Sequence, residues 1–151
     1  MKIREADKKD ADVLKDLWMK SLKNEKKLNK NIDLGSEIKD FKKDFPRLFK
    51  KNKYFLAENN GKIIGFVGGE IKIGSGFFKN KRIGHIHALF VEEKYRNRGI
   101  GVELIKTFIS WLKTKKVKIA ELAVSSRNST AIKLYKNIGF EEFIIQMRKK
   151  I

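Results

Sequence analysis

Three sets of residues in this chain have types and spacings suited to chemistry. The first is the run Tyr95-Arg96-Asn97-Arg98-Gly99-Ile100-Gly101, a glycine turn between an apolar stretch and a helical pattern. Glycines at such a junction let backbone N–H groups approach a ligand closely. The helix start adds unpaired donors and a partial positive charge, so an anion such as a pyrophosphate is favoured there. Arg96 and Arg98 supply full positive charges beside it. The second set is Asn128 and Tyr135, seven apart, which places both side chains on one helical face about two turns from each other. A phenol of ordinary pKa about 10 keeps its proton at neutral pH and can donate it to a leaving anion. The third is His87, with His85 two residues before it. An imidazole of pKa near 6.5 can accept a proton from an amine, directly or through water. Each set also has a plain structural reading: a turn that merely opens a helix, a half-buried packing tyrosine, a strand histidine without a role.

These residues need elements to hold them. Lys2 to Ala6 reads as a first strand, and Asp7 as the cap of a helix from about Lys8 to Leu22. Lys23 to Leu34 reads as a polar connector. A second helix spans about Ser36 to Lys51, capped by Ser36, with Pro46 expected to bend or split it. Lys53–Glu58 and Lys62–Ile73 form a hairpin across Asn60-Gly61, a strong type I′ signal. Gly65, Gly68 and Gly69 suggest a bulge or a close backbone approach in its second strand. Gly74 to Lys81 reads as a flexible loop and Arg82–Val91 as a long strand. The helix Val102–Lys115, the strand Val117–Val124, a helix from Asn128 to Gly139 and a last strand, about Phe140–Lys149, complete the chain.

The glycine turn lacks the offsets of the dinucleotide fingerprint, and no Gly-Lys-Ser/Thr follows to make a P-loop. It resembles instead the Arg/Gln-x-x-Gly-x-Gly/Ala signature of the GCN5-related N-acetyltransferase (GNAT) superfamily. About 30 residues on, Asn128-Ser129-Thr130-Ala131-Ile132-Lys133-Leu134-Tyr135-Lys136-Asn137-Ile138-Gly139-Phe140 is similar to the family's second motif, Asn-x-x-Ala-x-x-x-Tyr-x-x-x-Gly-Phe. The resemblance implies an α/β (α+β) fold: a mixed, mostly antiparallel sheet flanked by helices on both faces, in the order β-α-α-β-β-β-α-β-α-β. It implies one N-acetyltransferase domain over residues 1–151, using acetyl-CoA and releasing coenzyme A. The acceptor is then a primary amine of a small molecule, protein or peptide.

Residue by residue, the resemblance puts the pantetheine arm on the backbone of Leu89, Phe90 and Val91. The pyrophosphate falls to Arg96, Asn97, Arg98, Gly99, Ile100, Gly101 and Val102. Asn128 matches the position that hydrogen-bonds the arm, and Tyr135 the tyrosine near the sulfur. His87 stands where several amine-acetylating members place a glutamate, four residues before Val91. Glu70 and Glu92 are outside candidates for the base. Two departures are visible. Ala123 replaces the glutamate of the branch that acetylates ribosomal-protein N-termini, with Glu121 one pair nearer the strand start. The family also commonly ends in a β-hairpin, whereas here one apolar stretch follows the last helix. That implies either one long bent strand or a strand supplied by a partner chain; dimers are common in the family, and a homodimer is open.

Composition narrows the alternatives. A chain of 151 residues fits one domain, and its lack of cysteine removes disulfides, thiolate metal sites and a cysteine nucleophile. With two histidines and no carboxylate cluster around them, no metal site is expected. No apolar run reaches the roughly 18–20 residues of a membrane span and no signal segment is read at the N-terminus, so a cytoplasmic location is expected. The net charge of +18 would draw in an anionic cofactor. Lysines are spread along the chain and outnumber arginines about fourfold, without an RNA-recognition signature, so nucleic-acid binding is the third reading. The second is a CoA-binding sensor or interaction domain without catalysis.

Overall fold

The apolar residues between Lys53 and Val91 recur on both sides of three long strands, so this sheet must be covered on both faces. The computed structural model describes residues 1–30, 33–75, 79 and 81–151. It contains β1 (Lys2–Glu5), β2 (Lys53–Asn59), β3 (Lys62–Ile73), β4 (Arg82–Val91) and β5 (Ile119–Leu122) in the spatial order β1-β2-β3-β4-β5. The first four pair antiparallel and β5 pairs parallel to β4. On one face lie α1 (Ala11–Leu28) and α2 (Leu34–Lys51), whose Leu14, Leu17, Phe41 and Phe45 bury against Tyr54, Leu56, Phe66 and Phe90. On the other lies α3 (Ile100–Thr114), whose Leu104, Ile105, Phe108 and Leu112 bury against Phe55, Ile64, Val67 and Ile86. Then α4 (Ser129–Asn137) adds Tyr135 to this second core. Each such side chain contributes about 1.5–3 kcal/mol on leaving water, so two apolar layers are the main source of stability.

Local signals set the connections. Asn60 (φ 48°) and Gly61 (φ 73°) are both left-handed, as the type I′ hairpin requires. Asp7 caps a short 3-10 turn, Lys8–Asp10, in a reciprocal box with Asp10. The Arg4 guanidinium clamps that turn to the sheet, donating to both Asp10 oxygens at 2.7 Å and to Glu58 at 2.7 Å. The first helix proper then continues to Leu28 rather than ending at Leu22, because the intervening lysines are good helix formers. Lys26 and Lys27 also sit favourably in its last turn. The expected connector is correspondingly short, and residues 31 and 32 within it lie outside the described residues. In α2, Asp33 is the cap instead of Ser36, accepting from the Gly35 and Ser36 N–H groups. Pro46 does not split α2, which runs unbroken past it while Phe41 and Phe45 stay anchored in the core.

Of the expected loop Gly74–Lys81, residues 76–78 and 80 lie outside the described residues; its ends are joined by Gly74 N–H donating to Lys81 O at 2.8 Å. The expected last strand, Phe140–Lys149, is absent: residues 140–151 carry no strand, and the element order is β-α-α-β-β-β-α-β-α. A strand needs a neighbour for its N–H and C=O groups, and among the described residues β5 pairs only with β4.

Candidate active site

The site begins with a defect in the sheet. Gly68 pairs with Ala88 and Gly69 with Ile86, so His87 is an extra residue in β4 without a partner in β3. A bulge of this kind bends its strand and increases the local twist. Gly69 makes it sterically feasible: a Cβ there would stand 2.3 Å from the His85 carbonyl oxygen and 2.7 Å from the Phe108 ring. The pairing of β4 with β5 runs from Ile83–Ile119 to Ile86–Leu122 and stops at the bulge. From His87 to Val91, β4 keeps β3 on one side and leaves its other side open. Leu89, Phe90 and Val91 therefore lie on an unpaired strand edge.

The chain leaves this edge through a 3-10 turn, Glu93–Tyr95, into the glycine turn. Asn97 (φ 60°) and Gly99 (φ 76°) are left-handed, and α3 starts at Ile100 with no side-chain cap. The first backbone bond into the helix is Glu103 N–H to Gly99 O, at 3.1 Å. Among the described residues no acceptor takes the N–H groups of Asn97 to Val102. They form a concave set of donors at the positive end of a helix, the arrangement that binds phosphate groups. Space above Gly99 is open, whereas a Cβ on Gly101 would meet Leu134 at 3.3 Å and Leu89 at 3.6 Å. Gly101 thus lets α3, α4 and the end of β4 converge. Arg96 braces the turn: its Nε donates to Val91 O at 2.9 Å and its guanidinium lies 5.8 Å from the Phe90 ring centre. Arg98 lies 5.8 Å from the Tyr95 ring centre.

Across the opening stands α4. Asn128 caps it, its Oδ1 accepting from Ala131 N–H at 3.1 Å, which leaves its amide NH2 available. Tyr135 packs edge-on against Phe140 with ring centres 5.8 Å apart. Burial, and then the carboxylate of Glu25, push the Tyr135 phenol up to about 12. Glu25 sits in the last turn of α1, on the opposite face of the sheet, so this interaction passes through the opening beside β4. The sequence pattern had ended α1 before Glu25 and gave no sign of it.

A row of polar side chains crosses the sheet at the bulge. Glu70 of β3 pairs with His85 of β4, and His85 with Glu121 of β5. His85 Nδ1 lies 2.9 Å from Glu121 Oε1, and Lys72 Nζ lies 2.8 Å from the same oxygen. His87 Nε2 lies 3.3 Å from Glu70 Oε1, while Lys51, from the end of α2, holds the other Glu70 oxygen at 2.6 Å. The two imidazoles are 4.7 Å apart and edge-on. Burial pushes the His87 pKa down, and the nearby His85 adds to this; Glu70 opposes it. Burial also raises Glu70, but Lys51 and His87 outweigh it and its carboxyl falls below the usual range. The row thus carries two carboxylates, two ammonium groups and two imidazoles, one of them kept in its basic form. Glu92 plays no part in it: buried beside Lys20 (2.7 Å) and Lys62 (3.4 Å), it ties α1 to the β2–β3 hairpin. Sequence reasoning had placed Glu70 and Glu121 only as strand carboxylates and had given Lys51 and Lys72 no role. Their convergence depends on strand register and the bulge, and the one visible signal was the glycine pair opposite.

The family model for "Acetyltransferase (GNAT) family" matches residues 17–140. An uncharacterized N-acetyltransferase of Archaeoglobus fulgidus is 31% identical over 137 residues, covering 89% of each protein. Another, from Methanocaldococcus jannaschii, is 39% identical over 100 residues, and the match spans 65% of this chain but only 44% of that protein. An N-alpha-acetyltransferase of Sulfurisphaera tokodaii is 36% identical over 96 residues, 59% of this chain and 56% of that protein. Among solved structures, aminoglycoside N-acetyltransferase AAC(6′)-Iy in complex with CoA shares the fold with a TM-score of 0.71 at 20% identity, covering 99% of this chain and 100% of that one. An acetyltransferase of Clostridium acetobutylicum solved with acetyl-CoA gives 0.72 at 21%, covering 99% and 95%. A sheet splayed at a bulge, a glycine turn with free amides and a tyrosine helix across the gap are thus found in a sequence that the family model matches over most of its length: the chain belongs to the acetyltransferase (GNAT) family, whose members take their acetyl group from acetyl-CoA.

Proposed function

We propose that this protein transfers an acetyl group from acetyl-CoA directly to a primary amine, with the open edge of β4 and the glycine turn as the donor site. The feature that supports this most is the end of the β4–β5 ladder at Ile86–Leu122, next to the free amides of Asn97 to Val102. These residues fit the cofactor: the amides would hold the pyrophosphate, the Leu89–Val91 backbone would pair with the pantetheine arm, and the Asn128 amide would reach it from α4. Bound acetyl-CoA supplies an activated acyl thioester.

The remaining chemistry belongs to side chains. An alkylammonium of pKa near 10 must lose a proton before it can attack. His87 receives it, being kept neutral by burial and His85 and oriented by Glu70 through Nε2, which leaves Nδ1 as the acceptor. Tyr135, protonated at every working pH because its phenol is pushed up to about 12, gives its proton to the departing sulfur. The acceptor approaches between α1 and α2, a lysine-rich segment that disfavours polycations by like-charge repulsion and receives an acceptor bearing a carboxylate or phosphate better. The Sulfurisphaera relative's name points to peptide N-termini, and Ala123 in place of the glutamate of the ribosomal-protein branch argues against that branch's own substrates. Thiol release from acetyl-CoA against a panel of amines, including peptides with acidic and basic first residues, tests this. Cofactor binding without release for any amine would leave a CoA-binding domain in its place.

A further inference from the structure

The segment after α4 carries a pattern that the transferase reading does not use. Gly139 (φ 93°) ends α4, and Phe140 packs back on Tyr135. Beyond it, Glu141-Glu142-Phe143-Ile144-Ile145-Gln146-Met147-Arg148-Lys149 forms no strand, yet Ile144, Ile145 and Met147 are 75%, 77% and 87% exposed. Adjacent large apolar side chains at this exposure are costly to leave in water and mark an interaction surface.

The same nine residues are complementary to themselves. Laid antiparallel on a second copy about a two-fold axis through Ile145, Glu141 faces Lys149, Glu142 faces Arg148, Phe143 faces Met147, Ile144 faces Gln146 and Ile145 faces its own symmetry mate. Both acidic residues then meet basic ones at each end, and the apolar residues meet in the middle. Opposite-charge and apolar cross-strand pairs each contribute about 0.2–1 kcal/mol, beyond the backbone bonds the ladder gains. A slip of one residue sets Phe143 against Arg148, and a parallel pairing sets like charges side by side. One register is therefore favoured, and it is isologous, as a closed dimer requires. The only side-chain ion pair printed for the segment, Lys136 to Glu142 at 2.6 Å, is an exposed pair that a cross-strand partner can replace.

We propose that Glu141–Lys149 is a dimerisation strand that pairs antiparallel with the same segment of a second copy. This goes beyond the transferase reading and stands or falls independently of it. Because the chain has no cysteine, Ile145→Cys places a unique thiol on the proposed axis. Directly opposed residues of an antiparallel pair have Cα atoms about 4.5–5.5 Å apart, within disulfide range. In Met147→Cys the two thiols would stand four residues out of register, about 13 Å apart. Sedimentation at about 0.15 M salt, where the long-range repulsion of the net charge is screened, should show a dimer. Mild oxidation should link Ile145→Cys covalently and leave Met147→Cys unlinked. Reversing charge in the Glu141→Lys/Glu142→Arg variant should give monomers, and adding Arg148→Glu/Lys149→Glu should restore the dimer. The substituted side chains are exposed, so folding is not at stake. A monomeric wild-type chain, equal linking of the two cysteine variants, or a charge-reversed variant that stays dimeric would each overturn the proposal.

Discussion

His87 Nε2 lies 3.3 Å from Glu70 Oε1 across a sheet in which neither residue is the other's register partner. Glu70 is paired with His85, and His87 reaches it only because β4 holds one residue more than β3 at that point. The bulge therefore does two things at once. It turns a second imidazole toward Glu70 and releases β4 from β5 where an acyl donor would lie.

If His87 is the acceptor-side base, the rate at saturating acetyl-CoA should rise with pH through a single ionisation and then level off. The sign follows from the form required: protonated His87 cannot take a proton, so activity is lost as pH falls through its pKa. Burial and His85 place that inflection below the ordinary histidine value of about 6.5. The His87→Ala variant should lose the inflection and about 10²–10⁴-fold in rate while binding acetyl-CoA normally. The milder Glu70→Gln change should move the inflection further down, since Glu70 is the group that raises it. A pH–rate profile identical to wild type in His87→Ala would remove this histidine from the reaction.

Tyr135→Phe should lower kcat by roughly ten- to a thousandfold with acetyl-CoA affinity nearly unchanged. The ring contact with Phe140 is kept, so thermal stability should hardly move. Unchanged turnover would make Tyr135 a packing residue and leave the thiolate to depart with a proton from water.

Gly99→Val should weaken acetyl-CoA at least tenfold in calorimetry. The left-handed φ of 76° strains any branched residue by about 1–3 kcal/mol, and the new side chain enters the open space above the free amides. Gly101→Val differs in kind: it pushes on Leu134 at 3.3 Å and should lower the melting temperature as well. Wild-type affinity in a folded Gly99→Val protein would show that the turn does not hold the pyrophosphate.

Asp10→Asn tests the clamp that carries α1. The Arg4 guanidinium holds the Asp10 carboxyl below the usual range, so its folded pKa lies beneath the unfolded one. Its contribution is present above the unfolded pKa, near 4, and is lost as pH falls through the folded value. Denaturant unfolding at pH 7 should show Asp10→Asn about 1–3 kcal/mol less stable than wild type. That difference should shrink steadily below pH 4; a constant difference down to pH 2 would place the effect elsewhere.

Much of this molecule is local and therefore written in the order of its residues. Asn60-Gly61 fixes the hairpin, and Gly99 and Asn97 fix the turn, because few other residues adopt φ > 0. Asn128 caps α4 with its own side chain. The sheet, the helices on its two faces and the donor turn followed from such signals and from the family resemblance they carry. The tertiary structure decided what depends on register and on neighbours. A single extra residue at His87 ended the β4–β5 ladder and brought Glu70, His85, His87, Glu121, Lys51 and Lys72 together, a convergence no spacing within one strand contains. It set Glu25 near Tyr135 by extending α1 six residues past its expected end. It also left Phe140–Lys149 unpaired, since period-two apolar sequence makes a strand only where a neighbouring edge accepts its hydrogen bonds.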